Sequence, residues 1–326
     1  MNIEAKPWYP TILEVSLCMM LAGCGVSAGT SNISAASSAV IKRSDAFQAV
    51  ADNGKTTIVV GANGVVLTSN DRGVSWTRQQ LDSSSSFIGV TACPDGSFAA
   101  LDFFHRVWAA DAAGGEWLAR AIDEPVNPLA ITCDATNRLW VVGSGSTIAS
   151  SVDQGANWNM TVVGDDAMLA SVQFLDEREG FVTGEFGAVY RTVDGGATWE
   201  ALPKISDEFY PYAAVFVDRQ RGWVAGLAGV VMQTTDGGQS WIKQVNEAGA
   251  PIYGLSLDGG GAPVGVGING LVFRLSGDQW KVADARRTTY LRAAMQLGEG
   301  RVLLAGGAGG VEVTTLVGDH KATANN

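Results

Sequence analysis

Histidine is nearly absent from this chain, with two in 326 residues, and its four cysteines include no Cys-x-x-Cys pair. No cluster has the spacing of a zinc, haem or iron–sulfur site, which removes most metal and redox chemistry and leaves no cofactor implied. Charge is sparse as well. Only 17% of the residues are charged, and 22 basic side chains stand against 33 acidic ones, a net charge of -11. A counterion-releasing grip on nucleic acid would start against a repulsive field, so nucleic acid is not expected as a partner. What the chain has in quantity is glycine, 41 residues, and tryptophan, 10 residues. That composition fits neither a disordered chain nor a helical bundle and favours a glycine-punctuated all-β protein.

The stretch from Thr11 to Gly23 is apolar apart from Glu14 and follows Lys6. It is shorter than the about 20 residues a membrane-spanning helix needs, and it reads as the apolar region of a signal peptide. Leu21-Ala22-Gly23-Cys24 resembles the lipobox of bacterial lipoproteins. That resemblance implies cleavage after residue 23 and lipid attachment at Cys24; the alternative is an ordinary cleaved signal with an incidental cysteine. Gly25 is not the aspartate that retains such proteins in the inner membrane, so the resemblance points to the outer membrane. Residues 24–38 are small and hydroxylated with no apolar period, as in a flexible tether. The expected organisation is therefore a leader over 1–23, a tether over 24–38 and one folded domain over 39–326.

A long period organises that domain. Trp76, Trp117, Trp158, Trp199, Trp241 and Trp280 follow one another at gaps of 41, 41, 41, 42 and 39 residues. Four of them close the same pattern: Ser69-x-Asp71-x-Gly73-x-x-Trp76, Ser151-x-Asp153-x-Gly155-x-x-Trp158, Thr192-x-Asp194-x-Gly196-x-x-Trp199 and Thr234-x-Asp236-x-Gly238-x-x-Trp241. In a tight hairpin the aspartate accepts backbone N–H bonds, the glycine takes a positive φ, and the tryptophan buries its ring between sheets. The pattern resembles the Asp-box, or BNR repeat, of β-propellers. Two copies are degenerate, ending at Trp117 and Trp280, and a seventh unit from Tyr290 to Thr315 has lost the box and its tryptophan. Gly-x-x-Gly turns recur between second and third strands, for example Gly61 to Gly64 and Gly184 to Gly187. One small sheet cannot bury both faces, whereas a closed ring can. The expectation is an all-β, seven-bladed β-propeller of four-stranded antiparallel blades. Ala39 to Lys42 would supply the outer strand of the last blade and remove its open edge.

A residue repeated around a ring marks the fold, so the roles assigned to Asp71, Trp76, Asp153, Trp158, Asp194, Trp199, Asp236 and Trp241 are structural. Function is then expected where the repeats differ, on the rim that carries the Gly-rich turns and the links between blades. Those links carry acids: Asp45, Asp82, Asp123 with Glu124, Asp165 with Asp166, Asp207 with Glu208, Glu247 and Asp284. Aromatics follow closely, Tyr210 and Tyr253 among them, and Arg286, Arg287 with Arg292 form a local basic group. Polar loops of an acidic protein explain the acids as well as a recognition surface does, and an internal salt bridge explains the arginines equally well. Sialidases share the Asp-box, and a glycoside hydrolase of that or a glycanase type is the alternative function. Their Arg-Ile-Pro signature is absent and the arginines are scattered, so no catalytic residue is assigned.

Leader, tether and seven blades together resemble the photosystem II stability and assembly factors and their bacterial relatives. The resemblance implies a non-enzymatic, monomeric scaffold, held to the membrane only by its lipid, that binds a membrane or exported protein. A photosystem II component or an envelope transporter would be such a partner. In that family an arginine-rich patch contacts the partner, and here only Arg286, Arg287 and Arg292 partly match it. Cys93 and Cys133 lie about one repeat apart near the ends of first strands; their register is off by a residue or two, which favours free buried thiols.

Overall fold

The computed structural model describes residues 39–206 and 208–316. Within them, short runs of Val, Ile, Leu and Ala bounded by glycine form strands, as expected for chains that are buried on one or both faces of a sheet. The second strand of each of the first six units is buried along its whole length, as in Thr57–Gly61, Leu139–Gly143 and Gly222–Gly226. Such a strand lies inside a sheet that is itself covered by a neighbour on either side. Fourth strands are the most exposed of each blade, and Asn159–Val162 is exposed throughout.

Four units, over residues 47–80, 87–121, 128–162 and 169–201, are separate four-stranded antiparallel sheets in up-and-down order. The fifth and sixth, over 211–246 and 252–284, have the same order, and their outer strands Ile242–Asn246 and Gln279–Asp284 touch through two parallel pairs, Val245 with Gln279 and Asn246 with Trp280. The seventh unit has three strands, Leu291–Gly298, Arg301–Gly306 and Val311–Thr315. The innermost strand of every unit packs against that of the next, and Leu291–Gly298 closes on Phe47–Asp52. The fold is a β-propeller closed into a ring.

The ring is not closed by an outer strand from the N-terminal side. Residues 39–46 form no strand. The Asp45 carboxylate accepts the Lys42 N–H (2.7 Å) and the Lys42 carbonyl accepts the Asp45 N–H (3.0 Å), which folds this stretch into a turn. The Val40 carbonyl accepts a bond from Arg78 of the first blade, so the chain arrives beside that blade and not along Val311–Thr315. The ends are still joined, because the Gly309 N–H donates to the Asp45 carbonyl (2.8 Å) and Ile41 packs with Val311 and Val313.

Cys93 and Cys133 are paired in a disulfide with Cα atoms 5.2 Å apart, against the expectation of free thiols. The one-residue offset that argued against pairing is what stacked sheets require. Successive side chains on a strand point to opposite faces, so the residues that meet between two blades come from alternate positions of the repeat. Cys93 follows Phe87–Ala92 and Cys133 ends Pro128–Cys133, on facing sides of adjacent innermost strands.

Candidate partner-binding rim

The four Asp-boxes are closed local networks. In each, the Ser or Thr hydroxyl accepts the N–H of the box glycine at 2.8 Å, for Gly73, Gly155, Gly196 and Gly238, and donates to the aspartate. The carboxylate in turn accepts the backbone N–H of the residue before the tryptophan, at 2.8 Å for Asp71 and Asp153 and 2.9 Å for Asp194 and Asp236. Side-chain and backbone donors from Ser75, Asn157 and Thr198 hold the Asp71, Asp153 and Asp194 carboxyls down to about 2, and those of Ser240 lower Asp236. The ring that follows packs on the preceding blade. Trp76 lies with Leu297 and Val313, Trp158 with Leu101 and Val107, and Trp199 edge-on to Trp140 at 5.9 Å between centroids. Trp241 packs with Val189 and Leu202, and Trp280 is fully buried with Trp223 and Val231.

A cleft of about 440 Å³ on this Asp-box rim includes Asp52, Cys93, Cys133, Asp134 and Asp176. Its carboxylates are already engaged: Asp52 by Thr57 and Gly54, Asp134 by Thr136, Arg138 and the Trp140 indole N–H, and Asp176 by Arg219 at 2.7 Å.

The opposite rim divides the residues that the links suggested. Asp45 is buried against Arg78 (2.7 Å), and Asp82 shares Arg106 with the fully buried Asp102 (2.8 Å each). Asp284 takes Arg286 at 2.7 Å and Arg287 at 3.0 Å, and those hydrogen bonds hold its carboxyl far below the ordinary carboxylate range. Arg287 reaches Glu312 as well (2.8 Å). The basic pair is therefore the lock between the last two blades, although the Arg286 side chain remains 69% exposed. Asp123, Glu124, Asp165, Asp166, Glu208 and Glu247 are exposed. Asp207 lies outside the described residues, as does Cys24. Tyr210 is half-buried, edge-on to the exposed Phe186 at 5.5 Å.

Arg292 is separate from the other two arginines. Each innermost strand carries a one-residue bulge directly after its first residue, where the ladder skips Gln48, Ile88, Leu129, Ala170, Tyr212, Tyr253 and Arg292. A bulged residue leaves the ladder and is re-aimed. In the last three blades these residues touch. The Tyr212 and Tyr253 rings meet edge-to-face at 5.3 Å, and the Arg292 guanidinium lies 6.0 Å from the Tyr253 centroid with Nη1 3.4 Å from its carbonyl. Burial pushes Arg292 below the usual arginine value.

Three features of the propeller were not singled out in the sequence. One is the bulge ring, although its members recur with the period of the tryptophans. The second is a set of exposed turn tips, Phe103 (61%), Phe104 (54%), Phe186 and Leu227, where second strands turn into third strands. The third is the pattern Asp-x-x-x-Arg-x-Trp, in which Asp102 and Asp134 each accept the indole N–H of Trp108 or Trp140 at 2.9 Å.

Comparison with known proteins agrees with the repeat. The family described as photosynthesis system II assembly factor YCF48 matches residues 106–191 and 157–251. A photosystem II assembly lipoprotein Ycf48 from Synechococcus sp. (strain CC9902) is 28% identical over 95 residues, 28% of either chain. A photosystem II assembly protein Ycf48 from Thermosynechococcus vestitus is 28% identical over 170 residues, 48% of either chain. The chain thus spans less than half the length of these curated relatives. Among solved structures, YCF48 from Cyanidioschyzon merolae superposes with a TM-score of 0.67 at 15% identity, covering 83% of this chain and 96% of that one. A YCF48 bound to D1 peptide gives 0.67 at 14%, covering 83% and 94%. Virginiamycin B lyase from Staphylococcus aureus gives 0.74 at 11%, covering 85% and 96%, and at such identities the likeness is one of fold. By its repeats and by these matches, this chain is similar to the photosystem II assembly factors of the YCF48 family over residues 106–251.

Proposed function

We propose that the chain is a non-enzymatic scaffold of the cell envelope. In this reading residues 1–23 are a cleaved leader, Cys24 carries lipid, residues 24–38 are the tether, and the propeller holds a segment of a membrane protein or of an assembly intermediate. The observation that carries the reading is the division between the two rims. The Asp-boxes and the cleft of Asp52, Asp134 and Asp176 on one rim spend their carboxylates on backbone, hydroxyl, indole and arginine donors, whereas the linker rim carries both exposed acids, at 123–124, 165–166 and 208, and the exposed Phe103, Phe104 and Phe186. Charge with interspersed aromatic anchors suits a protein partner better than a small substrate. The relatives named as photosystem II assembly proteins, and the YCF48 solved with D1 peptide, support a membrane protein as the class of partner. The face of the envelope is the periplasmic one, and the outer membrane follows from Gly25.

The test is capture from detergent-solubilised envelopes. Charge reversal at Asp165 with Asp166 is expected to remove the captured partner while leaving Tm unchanged. Retention of the full captured set by that variant and by Phe103→Ser with Phe104→Ser would show that this rim is not the contact surface. For the anchor, wild-type protein is expected to incorporate labelled fatty acid and sediment with membranes, and Cys24→Ala to do neither.

A further inference from the structure

Six blades carry a fourth strand, and a tryptophan at its start packs on the preceding blade. The seventh blade has neither among the described residues: Val311–Thr315 pairs on one side only, with Arg301–Gly306. The place where its box would pack is open. At the junction of the seventh and first blades, the box glycine Gly73 lies against Val313 and Leu297. One junction earlier the same register positions belong to Arg274 and Asp258, and there a cleft of about 420 Å³ is lined by Asp258, Arg274, Gln296, Val302 and Leu316. Its size is within the range of binding pockets, and the buried cluster beside it contains aliphatic residues and no aromatic ring.

We infer that this cleft and the open edge of Val311–Thr315 form a binding site for an extended partner segment that carries an aromatic residue. The segment adds to the edge as the missing fourth strand and places its ring in the cleft. Backbone hydrogen bonds to an unpaired edge supply affinity that does not depend on sequence, and the socket for one side chain supplies the selection. The stretches that flank the propeller, residues 10–46 and 317–326, contain no Phe, Tyr or Trp. Aligned on Gly309, the tryptophan position of the seventh repeat is Lys321. The site deepens the scaffold reading and rests on it only for the identity of the partner, since binding at the edge is measured without any partner.

The probe is a fluorescein-labelled peptide copying residues 234–246, which reproduces an intact box and its strand, added to the full chain. It is expected to bind saturably and to slow amide hydrogen exchange over 311–315, leaving exchange in the fourth strands of the other blades unchanged. Replacing the tryptophan of the peptide by alanine is expected to weaken binding by at least about tenfold, as loss of a central aromatic anchor does. Gln296→Trp, which fills the cleft from within, is expected to weaken it similarly without lowering Tm. Equal binding of the two peptides, exchange that slows elsewhere, or a Gln296→Trp protein that binds as well as wild type would each overturn the proposal. So would amides at 311–315 already protected in the free chain, which would mean that the chain's own ends cover the edge. Envelope capture can fail while the peptide binds, and the reverse, so the two readings are tested separately.

Discussion

Asp71, Asp153, Asp194 and Asp236 each engage their carboxylate within the local turn of their own repeat. Each carboxylate accepts bonds from within a turn of seven residues, Ser69 to Ser75 in the first copy. Because Asp71, Asp153 and Asp194 titrate near 2 in the fold and near 3.8 when unconstrained, they stabilise the native state at all pH values above 3.8. That stabilisation is lost as the pH falls through about 2, since the unfolded chain then no longer binds more protons than the folded one. Acid unfolding followed by fluorescence is expected to begin below pH 4, and Asp194→Asn to flatten the loss between pH 4 and 2. The tryptophan beside it makes the larger contribution. Trp199 packs against Trp140 and Phe174, and Trp199→Ala is expected to cost about 3 to 5 kcal/mol, read as a lower urea midpoint with an unchanged m value. An unchanged midpoint would mean that the ring does not hold the third and fourth blades together.

Between elements, the disulfide and the Asp284 cluster tie neighbouring blades. The Cys93–Cys133 bond closes a loop of 40 residues, for which the chain-entropy argument gives about 3 to 4 kcal/mol. Reduction, or Cys93→Ala with Cys133→Ala, is expected to lower Tm, and in the oxidised protein under denaturant neither Cys93 nor Cys133 is expected to be alkylated, as read by peptide mapping. Alkylation of both would contradict the bond. The Arg286, Arg287, Asp284 and Glu312 cluster bridges the sixth blade and the last strand. Arg287→Glu sets a like charge beside Asp284 and Glu312, and it is expected to raise exchange over 311–315 while leaving exchange in the first five blades unchanged. Bulges at the start of all seven innermost strands act at this scale too. They turn one side chain per blade out of the ladder, and so bring Tyr212, Tyr253 and Arg292 together although about 40 residues separate each from the next.

For the molecule as a whole, the net charge of -11 and the exposed acids of the linker rim imply that a basic partner is steered toward it. The association rate is expected to fall as added salt shortens the screening length from about 10 Å to about 3 Å, whereas the dissociation rate changes little. A rate insensitive to salt would place the affinity in apolar contacts such as Phe103 and Phe104.

The period of the six tryptophans, the box chemistry and the alternation of glycine with β-branched runs were enough to read the propeller, because they are local or regularly spaced and every copy repeats the same physical demand. Pairings between units were decided by the tertiary structure. Cys93 meets Cys133 because stacked sheets offset facing positions by one residue, and Asp45 and Asp284 turn from surface acids into buried ion-pair partners because Arg78, Arg286 and Arg287 reach them. Ala39 to Lys42 read as an outer strand, yet the Asp45 turn and the Arg78 bond draw that stretch to the first blade. A side chain's neighbour across a blade interface depends on twist, bulge and register together, and no window of sequence contains all three.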